Sequence, residues 1–213
     1  MKKFLVCLLA CVMLLAMVGC SKDDSKGGAT PKDEEFALGE VAGSKYESEF
    51  IGLGFTLPEG WNFYTDEEIA EMNNYVGDIA GQDYRDLLKN ATVIYDMAAA
   101  SPSQTDNVMV TLEKKPNSML KNLNLAQTLE ASFSVVKSSM ENMGYRNLTH
   151  EVTTLTIDGE TFTAMHITGT LSGMTMRQTS IVIKCNGYLA SLAVTTFDAA
   201  GTAPLLDNIY ILK

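Results

Sequence analysis

The stretch "RQTSIVIKCNGYLASLAVTTF", Arg177 to Phe197, decides the fold. Two runs rich in β-branched residues flank Asn186-Gly187. That dipeptide favours a two-residue turn with positive φ, so the stretch is a β-hairpin. The turn fixes the pairing: Cys185 faces Tyr188, Ile183 faces Ala190, Ile181 faces Leu192 and Thr179 faces Val194. One face of this hairpin is clearly apolar. The other carries Val182, Ser180, Leu189, Ser191 and Ala193, small but not wholly polar. A sheet patterned this way is expected to be covered on both faces.

Working outward, a second hairpin precedes it. Asp158-Gly159 separates "THEVTTLTI" from "ETFTAMHIT", with Ile157 expected opposite Glu160. Further upstream, Leu125, Leu129, Phe133, Val136, Met140 and Met143 recur at helical spacing, and Gly144 closes that helix. Strands are expected at "ATVIYDMAA" and "NVMVTLEKK". "TDEEIAEMNNYVG" reads as a helix, with Thr65 and Glu68 as a capping box and three acids at the positive end of the dipole. "DYRDLLKN" is a shorter helix. "YESEF" and "GLGFTL" are short extended runs, and a last helix is expected near Ala203–Asn208. The sum is an α+β fold: an α/β/α sandwich around a central, mostly antiparallel sheet, in one domain over residues 46–213.

The N-terminus reads differently. Lys2 and Lys3 precede an apolar run from Phe4 to Met17, too short for a spanning helix of about 20 residues. Residues 1–19 read as a signal peptide. Its end, "AMVGC", resembles the lipobox of bacterial lipoproteins, which makes Cys20 the lipidated first residue, with Met17 where Leu is commoner. Residues 20–45, beginning "CSKDDSKGGATPKDEE", then form a flexible polar tether with no apolar periodicity. Stable anchoring needs two acyl signals, which a diacylglyceryl group supplies. The expected location is the extracytoplasmic face of the cell membrane.

Cysteine counting fits. Cys7 and Cys11 leave with the signal and Cys20 is acylated, so Cys185 alone remains and no internal disulfide is expected. The formal charge of −10 becomes −12 once Lys2 and Lys3 are removed. An acidic body argues against nucleic acid and against flat adhesion to anionic lipid.

Upstream of the capped helix stands "GFTLPEGW", Gly54 to Trp61. Pro58 and Gly60 occupy the second and fourth places of Leu57-Pro58-Glu59-Gly60, which is type I turn chemistry. This corner, followed by an acidic helix, resembles PsbP-like domains, whose fold is shared with a Ran-binding nuclear import factor. The resemblance covers roughly residues 45–213. It implies that Pro58, Gly60 and Trp61 are a structural motif, with the indole packed under the sheet. It also implies a binding or accessory role without catalysis. The plant family's photosynthetic role and the import factor's GTPase do not carry over, and no metal ligand of the plant protein finds a matching position.

The chemistry-bearing residues give little support to an enzyme. His150 and His166 could meet across the Asp158-Gly159 hairpin, but the register sets His150 opposite Ile167 and His166 opposite Glu151, on opposite faces. Met174 and Met176 with Cys185 could attract a soft metal, yet alternation turns both methionines away from the thiol. Ser134-x-x-Lys137 and Ser118-x-x-Lys121 both match a Ser-x-x-Lys pattern, without a Lys-Thr-Gly partner. Cys185 lies on an apolar strand face, which dulls a thiol. Asp78, Asp83 and Asp86 could do acid–base work but read as solvated. No catalytic residue, metal site or cofactor is assigned. The expectation is a lipid-anchored, non-enzymatic binding or accessory module, partnered by the membrane through its anchor and by an envelope protein. A cell-envelope hydrolase and a soft-metal or small-ligand carrier are the alternatives.

Overall fold

The computed structural model describes residues 36–75, 77 and 79–212. The signal segment and Cys20 lie outside the described residues, as do Val76 and Asp78. Two antiparallel sheets make the body. The larger contains β4 (Asn62–Phe63), β5 (Val93–Ala100), β6 (Asn107–Lys114), β7 (Arg146–Ile157), β8 (Glu160–Leu171), β9 (Met174–Cys185) and β10 (Tyr188–Thr196), in the order β4-β5-β6-β10-β9-β8-β7. The smaller contains β1 (Glu40–Ala42), β2 (Lys45–Ser48), β3 (Leu53–Thr56) and β11 (Ile209–Ile211), in the order β1-β2-β3-β11. The helices are α1 (Asp66–Met72), α2 (Gln82–Asn90), α3 (Asn117–Asn122), α4 (Leu125–Asn142) and the single turn α5 (Ala203–Leu206).

Both hairpins hold the register that their turns dictate. Cys185 pairs with Tyr188 and Thr179 with Val194. Ile157 pairs with Glu160 and His150 with Ile167. Asp158 and Gly159 both have positive φ, as their tight turn requires, whereas in the second turn Gly187 has it and Asn186 does not.

The large sheet is buried on both faces, and β10 has no exposed residue at all. On one face, α4 lays Leu129, Val136 and Met140 on Leu148, Met165, Ile167 and Met176. Full burial of each such side chain contributes about 1.5–3 kcal/mol. On the other face, Ile94, Leu112, Ile181 and Leu192 meet Tyr46, Leu53 and Phe55 of the small sheet and Tyr84 and Leu88 of α2. The α+β class and the central antiparallel sheet are therefore present. The second covering layer is shared, however, between α2 and a four-stranded sheet.

That small sheet explains two local differences from the sequence reading. Residues 20–45 read as tether, but Phe36 stacks on Tyr188 with ring centroids 4.9 Å apart. Leu38 packs on the same core and β1 begins at Glu40. The domain thus starts by Phe36, because Phe36 and Leu38 bury apolar surface that a solvated tether would leave in water. At the other end, the helix expected over Ala203–Asn208 stops at Leu206, because Ile209 pairs with Phe55 and Ile211 with Leu53.

Helix α1 carries both halves of the expected capping box. The Glu68 N–H donates to Thr65 Oγ1 at 3.3 Å, and the Thr65 N–H donates to Glu68 Oε2 at 2.9 Å. It ends sooner than the sequence suggested. Asn73 turns from helix to sheet, accepting the Tyr95 N–H at 2.8 Å and donating Nδ2 to the Tyr95 carbonyl at 2.9 Å. Asn74 then takes φ of 60°, which terminates the helix.

One buried charge joins the two sheets. The pairing of β5 with β6 shifts between Tyr95 and Met97, leaving Asp96 as an extra residue. Asp96 is 8% exposed. Its Oδ2 accepts the Tyr46 hydroxyl at 2.7 Å and its Oδ1 accepts the Gly39 N–H at 2.9 Å. Burial pushes the carboxyl up to about 6, against the opposing pull of those two donors. A folded-state value above the unfolded one means that the neutral form is favoured in the fold. Stability from this group is complete below about pH 4 and is lost as pH rises through about 6. The difference corresponds to about 3 kcal/mol at pH 8. Urea melts of wild type and Asp96→Asn at pH 5 and pH 8 should show the variant gaining on wild type at the higher pH. A gap that does not change with pH would mean that Asp96 is ionised at no cost.

Candidate functional site

The corner before α1 is the first place to look. The Trp61 N–H donates to the Pro58 carbonyl at 3.1 Å, and Gly60 has φ of 79°. The turn is therefore Pro58-Glu59-Gly60-Trp61, one residue later than the sequence suggested. Positive φ at its third position makes it type II, where glycine is demanded. Trp61 packs against the larger core but is only half-buried. Its open side joins Val41, Leu57, Pro58 and Phe63 around a surface cleft of about 440 Å³. Val41, 48% exposed, stands at that cleft on the outer strand of the small sheet. Trp61 thus belongs to the core on one side and to a shallow apolar recess on the other.

A second surface cleft, of about 750 Å³, opens between the end of α1, helix α2 and the start of β5. Asp83 and Asp86 border it, with Leu87 and Val93 beneath. Both acids sit on the exposed side of α2. Asp86 Oδ1 is already engaged, accepting Gln82 Nε2 at 2.7 Å.

The histidines are held apart, as their register requires. His150 lies on the α4 face, stacked on Phe133 with centroids 3.7 Å apart and with Nε2 3.0 Å from Glu130 Oε1. His166 lies on the opposite face, where Nδ1 meets Thr179 Oγ1 at 2.7 Å and Thr179 meets Thr202 at 2.7 Å. Met176 is buried under α4 and Met174 is exposed. Cys185 is buried in the other core, with its thiol pushed up to about 12 by desolvation. Such a thiol supplies almost no thiolate near neutral pH.

Ser134 is exposed on α4, and Ser118 and Lys121 are exposed on α3. Neither Ser-x-x-Lys pair lies in a pocket of the kind a nucleophile needs. Among the described residues, no group of three or more His, Cys, Asp or Glu side chains is gathered to hold a metal. Among the same residues, no helix is long and apolar enough to cross a membrane.

Asp96, Tyr46 and Gly39 went unnoticed in the sequence. A lone Asp inside "ATVIYDMAA" resembles a solvent-facing strand position. Only the bulge turns it inward.

No family model matches the chain, and no curated protein matches it. Among solved structures, the layout is similar to LpqN of Mycobacterium tuberculosis, described as involved in cell envelope biogenesis. The TM-score is 0.40 at 13% identity, covering 76% of this chain and 83% of that one. A likeness this loose carries no residue from one chain to the other.

Half-burial sets the expected effect at Trp61. Complete truncation of a buried Trp costs about 3–5 kcal/mol. Trp61→Ala should cost about 2 kcal/mol in a urea melt followed by circular dichroism, with the slope unchanged. Wild-type Trp61, the only indole in the chain, should be partly quenched by iodide. A loss below about 0.5 kcal/mol would remove this corner from the core.

Proposed function

We propose that the chain is a bacterial lipoprotein whose PsbP-like domain acts as a non-enzymatic binding or accessory module. It is held on the extracytoplasmic face of the cell membrane by diacylglyceryl-Cys20. The observation that carries the reading is the dispersal of reactive groups. The two histidines occupy opposite faces, the single described thiol is buried and protonated, and Ser134 stands on an exposed helix face. Among these described residues nucleophile, base and orienting group are not brought together, and catalysis needs all three in reach of one reacting atom.

Location and charge support the same reading. A chain with net charge of −12 after signal removal stands off anionic lipid and does not favour nucleic acid. The partners are then the membrane, through the anchor, and an envelope protein reached from it.

Metabolic labelling with a palmitate analogue, followed by detergent phase separation, tests the anchor. Wild type should carry label and enter the detergent phase, and Cys20→Ala should do neither. Equal absence of label from both forms would end the lipoprotein reading. Pull-down from membranes should recover a partner with the anchored form that the Cys20→Ala form recovers poorly. For the non-enzymatic part, a fluorophosphonate probe should leave the protein unlabelled. Stoichiometric labelling that disappears in Ser134→Ala would promote the hydrolase instead.

A further inference from the structure

Three of the four outer strands of the two sheets are short. β1 and β11 have three residues each and β4 has two. Further along β5 from β4, the Asn73 side chain takes the place of a strand at Tyr95. Strand β7 closes the other edge of the large sheet and runs for twelve residues. Natural sheets keep their edges short or interrupt them with Lys, Pro or a bulge, because an open edge is a template for another strand. The irregularity in β7 lies before Thr149, and from Thr149 to Ile157 its ladder is regular. That run holds no Lys, Arg or Pro and a single acid, Glu151.

The Asp158-Gly159 turn determines which backbone groups of this run are open. Ile157 and Glu160 flank the turn and bond each other, so by alternation Leu155, Thr153, Glu151 and Thr149 also bond to β8. His150, Val152, Thr154 and Thr156 therefore turn their N–H and carbonyl groups to the outer edge. Among the described residues, no backbone hydrogen bond reaches them there. The layers above and below cover β7 at opposite ends. Helix α4 reaches its first half, where Phe133 and Glu130 meet His150, while Thr154 and Thr156 beyond are exposed. On the other face, Ile211 of β11 bonds Asp158 just past the last residue, while Thr149 and Glu151 are exposed.

We infer that the outer edge of β7 is the interface at which two copies of this chain join, antiparallel, about a two-fold axis at Thr153. That axis pairs the whole regular run, Thr149 to Ile157, with itself. It sets His150 opposite Thr156 of the partner subunit and Val152 opposite Thr154 of the partner subunit, so every open group meets an open group. An axis normal to the sheet keeps like faces together. The covered end of one copy then lies beside the open end of the other, on both faces. Charge agrees. Glu151 falls opposite Leu155 of the partner subunit and not opposite a second acid, so two bodies of net charge −10 meet along a nearly neutral strip. An extended basic peptide, the other occupant that a strand edge takes, finds only Glu151 to pair with along the run. The inference goes beyond the accessory-module reading and holds whether or not the chain is anchored.

The test uses the full chain in mild detergent. Light scattering over a dilution series should give a dimer for wild type. Thr153 lies on the axis as a non-hydrogen-bonded pair, with Cα atoms about 4.5 Å apart, which is within disulfide reach. Thr153→Cys should therefore cross-link to a dimer under mild oxidation. Glu151→Cys should not, since its two copies would stand four positions apart along the ladder, about 13 Å. Wild type controls for the chain's own cysteines. Thr153→Glu and Thr153→Lys should each lose the dimer, because like charges then face each other, and an equimolar mixture of the two should restore it. Circular dichroism melts that match wild type separate lost pairing from lost fold; where a charged variant unfolds, the two cysteine variants decide. A wild-type monomer throughout the series, equal cross-linking at both cysteine positions, or a dimer that survives both charged variants would overturn the interface. Cross-linking of Thr153→Cys in membranes to a different protein would give the edge to that partner and overturn it as well.

Discussion

Strand β10 has no solvent face, and the rest of the architecture answers that constraint. It is hydrogen-bonded to β6 on one side and β9 on the other, and every residue from Tyr188 to Thr196 is buried. A strand enclosed in this way needs a layer on each side. Helices α4 and α1 together supply one. The other is assembled from segments far apart in sequence: β1 to β3 and α2 from the first half, and β11 from the last residues. The chain must close on itself before that second core is sealed. β11 pairs with β3, and the Ile211 N–H also donates to Asp158 Oδ2 at 2.9 Å in the turn between β7 and β8.

The joint between the layers encloses a buried carboxyl. Asp96 reaches across from its bulge to Tyr46 and Gly39, so the start of the small sheet is tied to β5 by two hydrogen bonds to one carboxyl. Buried carboxylates are costly unless their lone pairs are met. Here two are met and the group still sits at about 6, because desolvation outweighs both bonds. Gly39, just ahead of β1, is therefore fastened to the large sheet by a carboxyl that burial pushes up to about 6.

Legibility of the fold followed the range of the interactions. Asn186-Gly187 and Asp158-Gly159 fix their hairpins through φ preferences of two residues, and the pairing could be counted outward from them. Helix α4 was legible because its stripe recurs over several turns, and the α1 cap because it spans four residues. The small sheet was not legible, since β11 meets β3 across more than 150 residues and its three residues carry no period of their own. Gly54 has the same character. In sequence it is one glycine in "GLGF". In the fold it is the place where the Tyr210 ring crosses β3, so a Cβ there would collide with it. The Tyr210 hydroxyl then donates to Glu47 Oε1 at 2.7 Å. The candidate site divides similarly. Register alone separated His150 from His166. The open side of Trp61 was not legible, because it depends on Val41 reaching that corner on the outer strand of the small sheet.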